Sequence, residues 1–410
     1  MVEIAADPNS DSVVLEADQR LSRSQLWQLQ RQFFQQQGIR AWSNGTVPHY
    51  ITSNPFIANA FGKVAFGFLR DWCAVGSDRR TASERQNPDP DRQAPEIDPV
   101  PLDFSQPVYI LELGAGSGRF AYHFLKQFFA TYPQSVLRHL SVKYVMTDFV
   151  PQTLDFWQTH PRLQPFVEQG WLDFACFDIA TPTPLQLLQS GETLTAETLT
   201  NPPIVLANYV FDSIPQDLFA IRDKQLYETL VTLTVRGSDI DLPPADLLER
   251  LQIAYADRPI VADYYDNPNL NLLLQTYQQQ LTATHVLFPI AALNCLEQLR
   301  HWANDRLLLL SADKGDSQPA SLNEQESPQI ACHGSVSLSV NYHAIAQYVE
   351  SQGGQALRPD HRPRSAGGPD GHRTLHPRSM GPRATHRLSP WHRRSLRPPG
   401  QWRDPGTPPA

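Results

Sequence analysis

Apolar positions along the chain fall into two rhythms. Short, nearly continuous apolar runs occur at Val108-Tyr-Ile-Leu-Glu-Leu113, Lys143-Tyr-Val-Met-Thr-Asp148, Trp171-Leu-Asp-Phe-Ala-Cys-Phe-Asp178, Ile204-Val-Leu-Ala-Asn208 and Arg306-Leu-Leu-Leu-Leu-Ser-Ala312. Each is bounded by turn residues, as expected of strands buried on both faces of a parallel sheet. The second rhythm is helical. Phe120, Phe124 and Phe128 recur every fourth residue with Leu125 beside them, and Leu29, Phe33 and Phe34 mark one face of the Gln-rich stretch Gln28–Gln37. That stretch reads as a core-packing helix rather than an aggregation tract. Strands alternating with helices predict an α/β fold with a Rossmann-like core. Leu218–Ile221 and Leu226–Val235 read as a hairpin, inside an insertion over about 216–284 between the fourth and fifth strands.

Candidate chemistry gathers where the strands end. The first strand runs into Glu112-Leu-Gly114-Ala-Gly116-Ser-Gly118, and the Phe-rich helix follows at once. Glycines at such a turn allow positive φ and close approach of backbone N–H groups, and the helix start favours an anionic group. Strand, glycine turn and helix in this order predict a nucleotide-type site. The second strand closes on Asp148, whose carboxylate suits two vicinal ribose hydroxyls; the third closes on Asp178 and the fourth on Asn208, followed by Asp212. Plain structural alternatives exist for each: a strand-end turn for Asp148, a surface turn for Asp178, and a helix start for Asn208 and Asp212. Together these side chains converge on the edge of the sheet where open α/β folds bind ligands.

The Glu-x-Gly-x-Gly-x-Gly frame resembles the first motif of class I S-adenosylmethionine-dependent methyltransferases. The resemblance implies a seven-stranded-type sheet and S-adenosylmethionine as cofactor. It implies that Glu112 orients the cofactor's ammonium group, partly through water, and that Gly114, Gly116 and Gly118 let the cofactor lie against the backbone. Asp178 would cap the adenine amino group. Further segments resemble the MidA-like methyltransferases, which include a mitochondrial complex I assembly factor that methylates an arginine on a partner subunit. Asn208-Tyr-Val-Phe-Asp212-Ser-Ile-Pro215 is similar to that family's Asn-Glu-x-x-Asp-Ala-x-Pro motif. Tyr50–Gly62, Asp313-Lys-Gly315 and Ser337–Ile345 are similar to three others. The resemblance implies a protein side chain as acceptor, with Asn208 and Asp212 as catalytic residues and Asn208 also beside the cofactor. Two positions depart from the pattern: Tyr209 and Phe56 stand where the family carries glutamate. Both losses remove carboxylates that would hold and deprotonate a guanidinium.

Composition adds boundaries. The 410 residues carry a net charge of −8, divided unevenly. Residues 351–410 hold eleven Arg against three Asp, with no Lys or Glu, which leaves the rest of the chain strongly acidic. An acidic body argues against nucleic acid as partner. No apolar run is long enough to span a membrane, and the start of the chain lacks a signal peptide's pattern, so a cytoplasmic location is expected. Cys73, Cys176, Cys295 and Cys332 are widely spaced and read as buried free thiols, and the neighbouring His333 lacks the further ligands that zinc needs. No metal is expected.

The layout expected is a disordered stretch over 1–20, a helical cap over 21–76, a Pro-rich linker over 77–107, the methyltransferase core over 108–353 and an Arg/Pro-rich tail over 354–410. The tail lacks Lys, Tyr, Ile, Phe and Asn while Arg, Pro, His and Gly are in excess, a bias that an out-of-frame reading of G/C-rich DNA produces. On that reading the last strand of the sheet is missing and the tail is disordered. Tyr264, Tyr265 and Tyr277 fall in the insertion, which by location would shape the acceptor's pocket; packing on the core is their plain alternative. Two other function classes compete: a non-catalytic, cofactor-binding assembly factor of the same fold, and a nicotinamide-dependent oxidoreductase, which the Glu112 frame disfavours.

Overall fold

A computed structural model describes residues 11–43, 45–47, 50, 52–82, 101–261, 263–332 and 335–358. The chain divides into two compact units, Met1–Gln355 and Ala356–Ala410. Of the second, Ala356–Arg358 are described and lie outside helix and strand. The expected disorder of residues 1–10, most of the Pro-rich linker (83–100), His333 and the tail from 359 onward, with its out-of-frame reading, lie outside the described residues.

The first unit begins with strand β1 (Ser12–Arg20) and helices α1 (Gln25–Gln37), α2 (Arg40–Ser43) and α3 (Pro55–Ala82). It continues with β2 (Val108–Leu113), α4 (Arg119–Thr131), β3 (Val142–Asp148), α5 (Pro151–Thr159), α6 (Gln164–Glu168) and β4 (Leu172–Cys176). A small hairpin of β5 (Leu185–Gln186) and β6 (Thr193–Leu194) precedes β7 (Ile204–Asn208), β8 (Asp217–Arg222) and β9 (Gln225–Arg236). Then come α7 (Pro244–Arg250), β10 (Gln252–Pro259), α8 (Pro268–Gln280), β11 (Thr284–Phe288), α9 (Ile290–Trp302), β12 (Leu308–Ala312) and α10 (Tyr342–Ser351).

Strands β12-β7-β2-β3-β4, in that order, form one parallel sheet. It has five strands among the described residues where the expectation was a seven-stranded type. Both faces are covered, which is why these strands read as continuous apolar runs. Val108 and Ile110 of β2, with Tyr144 and Met146 of β3, pack against Phe120, Phe124 and Phe128 of α4 and against Leu69 of α3. Tyr109, Leu111 and Leu113 face the other way, toward Leu293, Leu296 and Leu299 of α9. The Phe124 and Phe128 rings stack at 5.4 Å, and Phe61 of α3 meets Phe120 edge-on at 5.3 Å.

Between β7 and β12 the chain builds a second, antiparallel sheet in which β9 pairs with β8, β10 and β1 while β11 pairs with β8. The β8–β9 hairpin turns through Asp223 (φ 50°) and Lys224 (φ 62°), two left-handed residues that match the strand twist without glycine. Its tyrosines serve packing. Tyr264 donates to Glu228, a buried carboxylate also held by Arg20 and Arg258; Tyr265 donates to Asp217 at 2.6 Å; Tyr277 lies 3.0 Å from His343 Nδ1.

Two expectations are corrected. The stretch expected to be disordered over 1–20 forms β1 from Ser12 onward, in antiparallel register from Ser12↔Arg236 to Arg20↔Leu230. Its few apolar residues conceal a strand whose partner lies two hundred residues away. Helix α3 also runs on to Ala82, into the expected linker. Among the cysteines, Cys295 is buried, whereas Cys176, at the end of β4, is exposed rather than buried as expected. No His, Cys, Asp and Glu cluster that could hold a metal occurs among the described residues, and no described helix is long and apolar enough to cross a membrane.

Candidate active site

Strand β2 ends where its backbone must turn sharply into α4. Gly114, Gly116 and Gly118 adopt φ values of 60°, 52° and 70°. A side chain at Gly114 would in addition strike Val210, at 2.7 Å from a Cβ, so glycine is required there twice over. The turn is tied to the end of β3. The Ala115 N–H donates to the Thr147 carbonyl (2.8 Å), the Gly116 N–H to Asp148 Oδ2 (3.2 Å), and the Trp157 indole N–H to the Gly116 carbonyl (3.0 Å). Asp148 also accepts from the Val150 N–H at 3.1 Å. Burial pushes its carboxyl up to about 6, against the backbone donors that pull it down.

Glu112 sits elsewhere. It is buried on the α4 side of the sheet and accepts from the Tyr144 hydroxyl at 2.9 Å. Burial raises it to about 8, with a smaller contribution from Asp148, so it carries a proton at neutral pH. The geometry therefore joins Glu112 to Tyr144 rather than to the open crevice. At the end of β4, Asp178 accepts from the Ala180 N–H, the Thr181 hydroxyl and Arg31.

The end of β7 holds the other group of side chains. Asn208 donates through Nδ2 to the Thr52 carbonyl at 3.0 Å, which brings the segment before α3 to the strand end. Its Oδ1 is buried and has no hydrogen-bond partner among the described residues. Tyr209 adopts φ 54°, costly for a residue with a side chain, and is pinned by its N–H bond to the Ala312 carbonyl (2.7 Å). The residue remains 37% exposed. Asp212 accepts from the Ser213 hydroxyl at 2.6 Å. The Asp212 N–H donates to Asp313 Oδ2 at 3.0 Å, and the Lys314 N–H to Asp313 Oδ1 at 2.7 Å. Burial raises both carboxyls above the ordinary range, and for Asp313 the neighbouring Asp212 charge adds to it. Two acids so placed disfavour being ionised together. Asp313 follows β12, one strand over from Asp212, and the sequence marks it only within the Asp313-Lys-Gly315 motif.

The residues fit S-adenosylmethionine. The glycine turn offers a backbone cradle, Asp148 keeps acceptor capacity beyond its backbone bonds, and the orphaned Asn208 Oδ1 is an acceptor in want of an N–H. Phe56, the position of a missing glutamate, is exposed beside the Asn54 carbonyl oxygen that caps α3.

Residues 101–353, well over half of the chain, match the family described as "Putative S-adenosyl-L-methionine-dependent methyltransferase". No curated protein matches. Two solved structures from Burkholderia thailandensis are similar. An uncharacterized ACR protein is 13% identical with a TM-score of 0.42, over 82% of this chain and 71% of its own. A likely methyl transferase bound to S-adenosyl-homocysteine is 13% identical with a TM-score of 0.35, over 60% of this chain and 56% of its own. By its match over 101–353, the chain belongs to the family of S-adenosylmethionine-dependent methyltransferases, and its cofactor is S-adenosylmethionine.

Proposed function

We propose that the protein transfers a methyl group from S-adenosylmethionine to a nitrogen on a protein side chain. The observation that carries this reading is the Asp212–Asp313 carboxyl pair at the ends of β7 and β12, beside the unpartnered Asn208 Oδ1. Gly114, Gly116, Gly118, Asp148 and Asp178 would hold the cofactor, which supplies an electrophilic methyl on its sulfonium. Asn208 Oδ1 accepts an N–H from the acceptor and so aims the nitrogen lone pair. The carboxyl pair faces the cationic acceptor and takes up the proton that the nitrogen loses as its new bond to carbon forms. Alignment supplies much of the rate, and a base with a raised pKa takes the proton near neutral pH.

A cationic acceptor suits the site because Asp212 and Asp313 keep two carboxyls at these strand ends although the glutamates at Tyr209 and Phe56 are lost. The acidic charge of the chain outside residues 351–410 favours a protein acceptor over nucleic acid. The MidA-like resemblance, with its arginine acceptor, supports the same reading, as does the cytoplasmic location expected from the sequence. The test is transfer of tritiated methyl from S-adenosylmethionine to proteins of the source cell, followed by hydrolysis and amino-acid analysis. N-methylated products that vanish with Asp212→Asn support the reading; label on oxygen or sulfur contradicts it. Cofactor binding with no transfer to any protein favours the non-catalytic assembly factor, which the two missing glutamates motivate.

A further inference from the structure

Helix α1 meets the end of β4 in a contact for which cofactor binding gives no account. Arg31 places Nη1 2.9 Å from Asp178 Oδ2. Its guanidinium carbon lies 4.4 Å from the centre of the Phe149 ring, and Phe149 directly follows Asp148. A flat N–H donor thus rests on an aromatic face and donates to a strand-end carboxylate. Adenine with its exocyclic amino group makes the same two demands, a face for stacking and an acceptor for an N–H. Guanidinium is the one side chain that meets both.

Neighbouring contacts extend the same line. Phe34, one turn along from Arg31, meets Phe149 edge-on at 6.3 Å and stacks on Trp42 at 5.5 Å. Trp42 lies over the glycine turn, its Cζ2 only 2.8 Å from where a Cβ on Gly116 would sit. One side of α1 and α2 therefore touches the glycine turn, the ring after Asp148, and Asp178. The other side of α1 is anchored. Leu26, Trp27 and Phe33 are buried, while Gln30 donates to the Ser213 carbonyl at 2.6 Å and accepts from the Val336 N–H at 2.5 Å. The helix is fixed, and its Arg31 side chain, 39% exposed, is free to change rotamer.

We propose that Arg31 is a built-in surrogate for adenine: without cofactor it occupies Asp178 and the Phe149 face, and an adenine ring binds by displacing it. The proposal rests on the cofactor reading of this crevice. A half-exposed ion pair and a cation–π contact are each weak, as suits an occupant that must yield. Its effect is to lower apparent affinity by the fraction of time that the subsite stands open.

Calorimetric titration of S-adenosylhomocysteine into the full chain tests it, using wild type, Arg31→Ala, Arg31→Lys and Asp148→Ala. Displacement makes Arg31→Ala bind about three- to tenfold tighter than wild type. Arg31→Lys, which keeps the charge without the flat donor, falls between them. Added salt screens the ion pair and narrows the gap. Binding by Arg31→Ala that is equal to or weaker than wild type overturns the proposal; weaker binding means that Arg31 closes over bound adenine. The cofactor reading has a separate readout. Equal binding by wild type and Arg31→Ala, lost in Asp148→Ala, removes the surrogate and keeps the site. No binding by any of the four, each folded by circular dichroism, removes both.

Discussion

The two ends of the crevice are assembled in opposite ways. The glycine turn and Asp148 belong to one strand–helix–strand unit, and the bond between Gly116 and Asp148 spans 32 residues. The carboxyl pair joins Asp212 to Asp313 across 101 residues, with an antiparallel sheet inserted between them. The first end depends on local backbone shape and on glycines that no other residue replaces. The second depends on burial, which raises two carboxyls, and on the bond to Ala312 that pins Tyr209 in a left-handed conformation. A site divided in this manner should be separable by mutation into binding and transfer.

The largest separation is expected at the carboxyl pair. Replacing Asp212 and Asp313 by Asn should slow methyl transfer about 10²–10⁴-fold while S-adenosylhomocysteine binding, read by calorimetry, changes by less than about threefold. Because burial raises both acids, the wild-type rate should climb with pH through a range above ordinary carboxylates. In Asp212→Asn the remaining Asp313 loses the neighbouring charge that raises it, so that limb should move to lower pH. A pH–rate profile that is flat there removes the proton-acceptor role.

Glu112 gives the next effect, on stability. Its folded value of about 8 lies above the ordinary 4.5, so the folded state binds the extra proton and stability falls as pH rises from about 4.5 through 8. Glu112→Gln keeps the bond to Tyr144 without a titrating group. Denaturant midpoints should show a flatter pH dependence and a gain of roughly 2–4 kcal/mol at pH 9 relative to wild type. An unchanged slope would place Glu112 in contact with solvent or a cation. The smallest effect is at Tyr209. Tyr209→Gly relieves a left-handed backbone and should leave stability within about 1 kcal/mol of wild type, with transfer reduced more than binding.

The same division explains what could be read from the chain alone. The five apolar runs predicted the parallel strands because burial on both faces leaves continuous apolar sequence, and the Phe120–Phe128 spacing predicted α4. The glycine turn and the strand-end acids were legible for the same reason, being local. Strand β1 was not, since its partner β9 lies far along the chain and its own residues are mostly polar. Nor was Asp313's pairing with Asp212, which only the adjacency of β7 and β12 creates. Glu112's bond to Tyr144 was not legible either: strand alternation sends it to the Tyr144 face with Val108 and Ile110. Nor were the bonds of the insertion's tyrosines to buried acids and a histidine, which join residues far apart in the chain.

The most direct test of the central claim is a calorimetric titration of S-adenosylmethionine into three chains: wild type, Asp148→Ala and Asp212→Asn. The account predicts binding by wild type and Asp212→Asn with similar affinity, and a loss of about tenfold or more in Asp148→Ala, where a buried acceptor is removed. Binding by Asp148→Ala that matches wild type, or its loss in Asp212→Asn alone, would contradict the placement of the cofactor at the glycine-turn end.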